Sequence, residues 1–293
     1  MHRDLSGRTI IITGAGSGIG AATAIACGKV GMNLVISARR EERLDEVAGE
    51  IRRVGAGVEV VMGDITDNGH STRLLDAAER AFATRNDQRA AGHPTGRRLY
   101  AVFANAGFAI ESAMSEISTE HLRRLFEVNF FAGVELLQQA AQRLSARNQP
   151  GHLLMCSSCL GRMGLPYYGA YCATKAAQMM VCKVMNLELR ERGIHVSSVH
   201  PIATRTNMFE AAARESGRPP GSVKMFGKTP RMFIQHPDRV AYAVVKSLRR
   251  EYPPPEIWTS HIVRLAAGAM TIFPRFNDWV MRDETRRRGA RPP

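Results

Sequence analysis

Three polar side chains near the middle of the chain have the types and spacing needed for proton transfer. Tyr171 and Lys175 stand four residues apart, so on a helix they share one face. Ser158 lies thirteen residues before Tyr171, just beyond an apolar run. A phenol with a pKa of about 10 is a poor base at neutral pH unless its anion is stabilised. A nearby ammonium provides that stabilisation, and so does a positively charged ring beside it. Lys175 supplies the ammonium. The Ser158 hydroxyl can hold a substrate oxygen against the Tyr171 hydroxyl. Asn129, inside a long helical pattern, can anchor a water leading towards Lys175. Tyr167 and Tyr168 are alternatives to Tyr171, but neither has a lysine four residues on. Taken alone, such a pair is equally a half-exposed aromatic beside a solvated lysine, so its weight depends on the rest of the chain.

A second group of residues points to a bound anion. Thr13-Gly14-Ala15-Gly16-Ser17-Gly18-Ile19-Gly20 lies between a β-branched run and a helical pattern. Glycines there allow a sharp turn and bring phosphate close to free N–H groups at a helix N-terminus. At the end of the next apolar run, an NAD site usually places an acid for the ribose 2′-hydroxyl. Here Ser37-Ala38-Arg39-Arg40 carries two arginines instead. Arginine pairs well with a 2′-phosphate, which favours NADP(H) over NAD(H). The plainer alternative is that Arg39 and Arg40 are solvated residues opening a charged helix. Asp64-Ile65 and Asn105-Ala106-Gly107 follow two further apolar runs, where ligands of open α/β sheets bind. Asp64 can accept from an adenine amine, and Asn105 and Gly107 can close around a cofactor, though each also suits ordinary turns.

The elements that must position these residues alternate in type. Extended runs are expected at Arg8–Thr13, Asn33–Ser37, Val58–Met62, Leu99–Phe103, His152–Ser157 and His195–His200. Helical patterns fall at Ala21–Lys29, Glu41–Val54, Ser71–Ala83, Thr119–Ala146, Gly169–Arg192 and Pro237–Arg250. Such alternation predicts right-handed βαβ crossovers and an α/β, doubly wound parallel sheet, the Rossmann fold. Arg85–Arg97 is polar, aperiodic and contains Gly92, Pro94 and Gly96, so it reads as an exposed loop. Glu256–Trp258 is a short extended piece. The expected organisation is one catalytic domain over residues 1–255, with a lid at about 206–235, and an atypical C-terminal extension over 256–293.

Bulk composition excludes several classes. With 293 residues, 44% hydrophobic and 23% charged, the chain suits one sizeable globular domain. It has no apolar run long enough for a spanning helix and no signal-like start, so a cytoplasmic protein is expected. Five cysteines, Cys27, Cys156, Cys159, Cys172 and Cys182, are odd in number and scattered, which suits reduced thiols. Cys156 and Cys159 form a C-x-x-C, but no second ligand pair stands at metal spacing, so no metal site is expected. The net charge of +13 raises nucleic acid as a partner, yet no RNA-binding aromatic motif or zinc-finger spacing accompanies it. An anionic dinucleotide is the simpler partner.

Taken together, Thr13–Gly20, Asp64, Asn105-Ala106-Gly107, Asn129, Ser158 and Tyr171-Cys172-Ala173-Thr174-Lys175 make the chain resemble the short-chain dehydrogenase/reductase family from Ser6 to about Arg250. The resemblance implies hydride transfer between a nicotinamide and a ketone or secondary alcohol. It implies that Ser158 orients substrate and that Tyr171 is the general acid/base. Lys175 would lower the Tyr171 pKa and hold the nicotinamide ribose, and Asn129 would support a relay water. Pro201, Thr204 and Thr206 would contact the cofactor. A non-catalytic dinucleotide-binding regulatory protein is the competing expectation.

Two departures stand out. Ile202 occupies the position of the family's usual glycine after Pro201. The usual final strand and Asp-Gly-Gly ending are expected to be absent, replaced by a largely apolar Trp258–Met281 and an arginine-rich tail. Met208, Phe209, Met225, Phe226, Met232 and Phe233 in the lid, with Phe108, Leu160, Met163 and Leu165, suggest an apolar ketone or alcohol. The extension is expected to cap the pocket or pack in a homodimer. Peripheral membrane contact stays open, but Pro274 interrupts the pattern.

Overall fold

The computed structural model describes residues 3–81, 99–206 and 234–273, together with 208, 212, 213, 275, 278, 281, 282 and 286. The expected loop at Arg85–Arg97 lies outside the described residues, as does the lid apart from Met208 and residues 206, 212, 213, 234 and 235.

Seven parallel strands form one sheet: β1 (Thr9–Thr13), β2 (Asn33–Ser37), β3 (Val58–Val60), β4 (Leu99–Ala104), β5 (Gly151–Cys156), β6 (Ile194–His200) and β7 (Glu256–Trp258). Their order is β3-β2-β1-β4-β5-β6-β7, which reverses direction beside β1 and so opens a crevice at the strands' C-terminal ends. The helices are α1 (Gly18–Lys29), α2 (Glu41–Arg53), α3 (His70–Arg80), α4 (Thr119–Phe126), α5 (Ala132–Ala146), α6 (Gly169–Leu189), α7 (Pro237–Leu248) and α8 (His261–Ile272).

The central strands are buried on both faces, which their continuous apolar runs required. Alternate side chains serve opposite layers. Ile10, Ile12, Leu34 and Ile36 pack with residues of α1, α2 and α7, including Ala24, Leu44, Val47 and Val244. Ile11 and Val35 pack with Leu74, Leu136 and Met185 on the other face. A third cluster near the open end of the sheet joins Tyr171, Leu160, Leu165 and Ile110 to Trp258, Val263 and Ala267.

Two expectations need correction. The helix read as continuous over Thr119–Ala146 is interrupted by a π-helical turn at Glu127–Phe131, with Asn129 buried inside it. Its residues keep a helical composition, so sequence periodicity alone could not show the wider turn. The closing strand expected to be missing is present. Glu256–Trp258 pairs in parallel with β6, matching Ser198 to Glu256 and His200 to Trp258. The extended piece read at Glu256–Trp258 is that strand; three residues show no pattern that would tell its pairing with β6.

Candidate active site

The dinucleotide end of the site is built on β1 and α1. Gly14 has φ +65°, and a Cβ there would sit 2.9 Å from the Ala106 Cα. Any side chain would force a left-handed strain and push the β1 and β4 loops apart. Gly18, at φ +58°, opens α1 with a Cβ direction aimed at Thr206, 2.8 Å from its Cγ2. Gly20 packs against the Gly14 carbonyl, with no room for a side chain. Ser17 precedes the helix in an extended conformation and its hydroxyl does not cap it. The first-turn N–H groups therefore have no side-chain acceptor from the N-cap and face the crevice, as an anion site requires. Asn105 stabilises this turn from β4. Its amide donates to the Thr13 and Gly14 carbonyls at 3.1 and 3.4 Å, while Thr13 Oγ1 accepts from the Asn105 and Ala106 N–H groups.

Arg39 and Arg40 sit at the end of β2 and line the same crevice. The Arg39 guanidinium lies 3.7 Å from Asp64, and both side chains are solvent-accessible. Asp64 is more occupied than its sequence position suggests: Oδ1 accepts from both the N–H and the hydroxyl of Thr66. Ile65 is buried beside it.

The chemical end brings together residues from β5, α6 and the π-helical turn. Ser158, Tyr171 and Lys175 are all nearly buried. The Ser158 hydroxyl neighbours the Tyr171 phenol, and the Lys175 ammonium lies 5.3 Å from the centre of the Tyr171 ring. The Ser158 hydroxyl also accepts the Leu160 N–H at 3.1 Å. The turn after Ser158 presses onto α6 so tightly that a Cβ on Gly161 would come within 2.9 Å of the Lys175 carbonyl. Lys175 donates to the Cys156 carbonyl at 2.7 Å.

Burial dominates the electrostatics here. It pushes the Tyr171 phenol well above the ordinary range, with the neighbouring Ser158 hydroxyl pulling the other way. It pushes Lys175 down to about 8. In this state Tyr171 is a protonated phenol, a proton donor on the cleft wall beside Ser158.

Asn129 lies just beneath. Its Oδ1 accepts from the Phe108 N–H and its Nδ2 donates to the Phe108 carbonyl, both at 2.9 Å, with a further bond to Thr174 at 3.2 Å. Its own carbonyl accepts from Gln178. A Cβ on Gly107 would lie 2.9 Å from Asn129 Oδ1 and 3.7 Å from Lys175 Nζ, so Asn129 and Lys175 approach the same point of the β4 loop.

One cleft of about 1120 Å³ joins both ends. Every sequence-predicted catalytic and cofactor residue lines it except Gly20 and Asn129, which support it from below. Of the apolar residues expected to flank the substrate, Phe108 and Met208 line it, whereas Leu160, Met163 and Leu165 do not, being packed in the third hydrophobic cluster instead. Pro201, Thr204 and Thr206 form the wall after β6, with Thr204 bonded to the Ile202 carbonyl at 2.7 Å. Ile202 is buried in that wall, so this backbone accommodates the branched side chain. Phe108, Ile202 and Met208 give the cleft an apolar side. Tyr167 and Tyr168 do not line it; Tyr168 is buried and reaches Glu111 at 3.4 Å. The sequence reading missed Arg123 and Arg124 of α4, which lie along the rim, and His200 beneath Ser158. Neither carries a motif.

A family model described as short chain dehydrogenase matches residues 8–217. The human protein named L-xylulose reductase is 32% identical over 72% of this chain and 78% of its own. A protein of Eggerthella lenta named 3beta-hydroxysteroid dehydrogenase 1 is 28% identical over 94% of this chain and 98% of its own. Among solved structures, a short-chain type dehydrogenase/reductase from Mycobacterium marinum superposes with a TM-score of 0.71 at 26% identity, covering 87% of this chain and 94% of its own. A short-chain dehydrogenase from Sphingobium yanoikuyae, solved with NADPH, has a TM-score of 0.69 at 25% identity and covers 92% of this chain and 96% of its own. A short-chain dehydrogenase/reductase from Burkholderia phymatum, solved with NAD, shares the fold with a TM-score of 0.75 at 22% identity, covering 96% of each chain.

Proposed function

The chain belongs to the short-chain dehydrogenase/reductase family, and from that premise we propose that it is an NADP(H)-dependent oxidoreductase interconverting an apolar ketone and its secondary alcohol. The observation that carries this reading is the single cleft, with the glycine cradle at one end and Ser158, Tyr171 and Lys175 at the other. The uncapped start of α1 and the side-chain-free turn at Gly14 and Gly18 fit a dinucleotide diphosphate. Arg39 and Arg40 would hold the 2′-phosphate, Asp64 and Ile65 the adenine side, and Pro201, Thr204 and Thr206 the nicotinamide end.

The chemistry supplied by a bound nicotinamide dinucleotide is hydride transfer. The chain's own residues would manage the oxygen and its proton. Ser158 would hydrogen-bond the substrate oxygen and hold it in reach of Tyr171. In reduction, the Tyr171 hydroxyl would give its proton to that oxygen as negative charge develops there. Lys175 would offset the charge left on the phenol and hold the ribose. Asn129 would act from beneath by fixing the β4 loop at Phe108.

Phe108, Ile202 and Met208 on the cleft wall support an apolar substrate. So does the relative named for a steroid, which matches over nearly the whole chain. We also read the enzyme as a cytoplasmic homodimer. Five unpaired cysteines support the first part, and the exposed Phe131, in the π-helical turn that leads into α5, with Met180, Val184 and Leu187 on α6, supports the second. Among the described residues no helix is long and apolar enough to cross a membrane.

The test is a turnover screen of aromatic and alicyclic ketones, each with NADPH and with NADH. Reduction with NADPH favoured supports the reading. Activity restricted to polar sugars would overturn the substrate class, and no reduction beside tight coenzyme binding would favour a regulatory role.

A further inference from the structure

Directly behind Ser158 lies a buried assembly that the mechanism above does not use. The Ser158 carbonyl accepts two hydrogen bonds, from the Gly161 N–H at 3.0 Å and from His200 Nδ1 at 3.1 Å. A carbonyl can only accept, so the His200 proton sits on Nδ1, and Nε2 accepts from the Ser198 hydroxyl at 2.8 Å. His200 is fully buried and its ring stacks on Trp258, 4.4 Å between centroids and 8° between planes. Trp258 Nε1 donates to Glu256 at 2.8 Å, and Glu256 pairs with Arg162 at 2.5 Å. Arg162 follows the short turn that Ser158 opens. The assembly therefore begins and ends on the Ser158 turn, passing through β6 and β7.

We propose that His200 is a positioning residue for Ser158, and that the closing strand, through Trp258 and Glu256, clamps it there. The proposal rests on the reading of Ser158 as the group that orients the substrate oxygen. The geometry favours positioning over simple packing. The His200 ring has two possible tautomers, and its neighbours select the one that donates to the residue carrying the reactive hydroxyl. Burial lowers the His200 pKa to about 4, which keeps the ring neutral and this tautomer in place at physiological pH. Ile202 lies two residues on, so the same segment that carries the clamp also leads into the cleft wall.

The test compares His200→Leu with His200→Asn. Leucine removes the donor, while the Ser158 carbonyl keeps its Gly161 partner, so the turn is not left with an orphaned acceptor. Asparagine restores an N–H near the Nδ1 position. With acetophenone and NADPH as probes, His200→Leu is expected to lower kcat by about tenfold to a hundredfold, the scale of a small misplacement, with NADPH affinity unchanged. His200→Asn should recover most of the loss. In a Ser158→Ala background, His200→Leu should change nothing further, because its effect runs through Ser158. An equal loss in that background, or no recovery by asparagine, would overturn the proposal. Crystal structures of the two variants give a readout independent of turnover. The proposal requires the Ser158 hydroxyl to move away from the Tyr171 hydroxyl in His200→Leu and to keep its place in His200→Asn. An unmoved Ser158 in His200→Leu refutes it. If the wild type fails to reduce the ketone, the substrate reading fails, and the crystallographic comparison still decides the clamp.

Discussion

Replacing Arg39 and Arg40 together by alanine is expected to erase the preference for NADPH while leaving NADH binding nearly unchanged. Both side chains line the cleft at the end of β2, where the adenosine ribose of a dinucleotide would lie. Arg39 is now 3.7 Å from Asp64, and its side chain is 66% exposed. An exposed pair at that distance is worth about 0–1 kcal/mol, so releasing Arg39 to a phosphate costs little. A hydrogen bond to a charged group contributes about 1.5–3 kcal/mol, and solvent exposure argues for the lower end or below. Two arginines at about 1 kcal/mol each then give a discrimination of roughly thirtyfold, since 1.4 kcal/mol is a factor of ten. The assay is calorimetric titration of wild type and double variant with NADPH and NADH, at two salt concentrations. NADPH should weaken about thirtyfold in the variant, and its salt dependence should flatten. Asp64→Asn should act in the opposite direction, tightening NADPH a few-fold by removing a competitor for Arg39. Equal weakening of both coenzymes, or none, would refute the reasoning.

Three further outcomes follow from the same geometry. Gly14→Ala combines left-handed strain with a contact to the Ala106 backbone, so it should cost about 2–4 kcal/mol, seen as a lower Tm, whereas Gly16→Ala, with its nearest contacts at 3.3–3.4 Å to side chains, should cost far less. Equal thermal shifts would contradict the cradle geometry. Lys175→Met should stabilise the protein near neutral pH: the folded pKa of about 8 lies below the ordinary 10.5, so burying the charge costs about 3 kcal/mol below pH 8. That advantage should shrink as pH rises from 8 to 10.5 in chemical denaturation, while turnover is lost; an advantage that does not vary with pH would count against it. His152, lowered to about 3, and His200, lowered to about 4, are both held neutral by burial. Both folded pKa values lie below the unfolded 6.5, so unfolding takes up protons as pH falls. Stability should then drop by about 4 kcal/mol between about pH 7.5 and pH 5. Urea midpoints that stay flat over that window would show that the two rings are not buried neutral.

Much of this was legible in the sequence because it is written in local pattern. The β-branched runs at Ile10–Ile12 and Leu34–Ile36 could only be strands buried on both faces, and they are. The glycines at 14, 18 and 20 and the Tyr171–Lys175 spacing marked positions where backbone shape or a shared helix face was required. What was hidden depends on contacts distant in the chain. The π-helical turn around Asn129 differs from an α-helix only in its hydrogen-bond register. Strand β7 exists because β6 offers Ser198, Val199 and His200 as partners, a fact absent from Glu256–Trp258 itself. His200 is only the last residue of an expected strand in the sequence, and its link to Ser158, 42 positions away, appears only once β5 and β6 are adjacent. Asp64 shows the converse. Its position suggested a free acceptor, and its own neighbour Thr66 had already claimed one oxygen.

The most direct test of the account separates binding from chemistry in Tyr171→Phe. The phenyl ring fills the same buried space, so only the hydroxyl facing Ser158 is lost. NADPH affinity should stay within a few-fold of wild type, while reduction of an apolar ketone should fall by about 10²–10⁴, the range attributed to a positioned general acid. A variant that binds NADPH and still turns over at the wild-type rate would contradict the assignment of Tyr171 as the proton donor, and with it the proposed chemistry of the cleft.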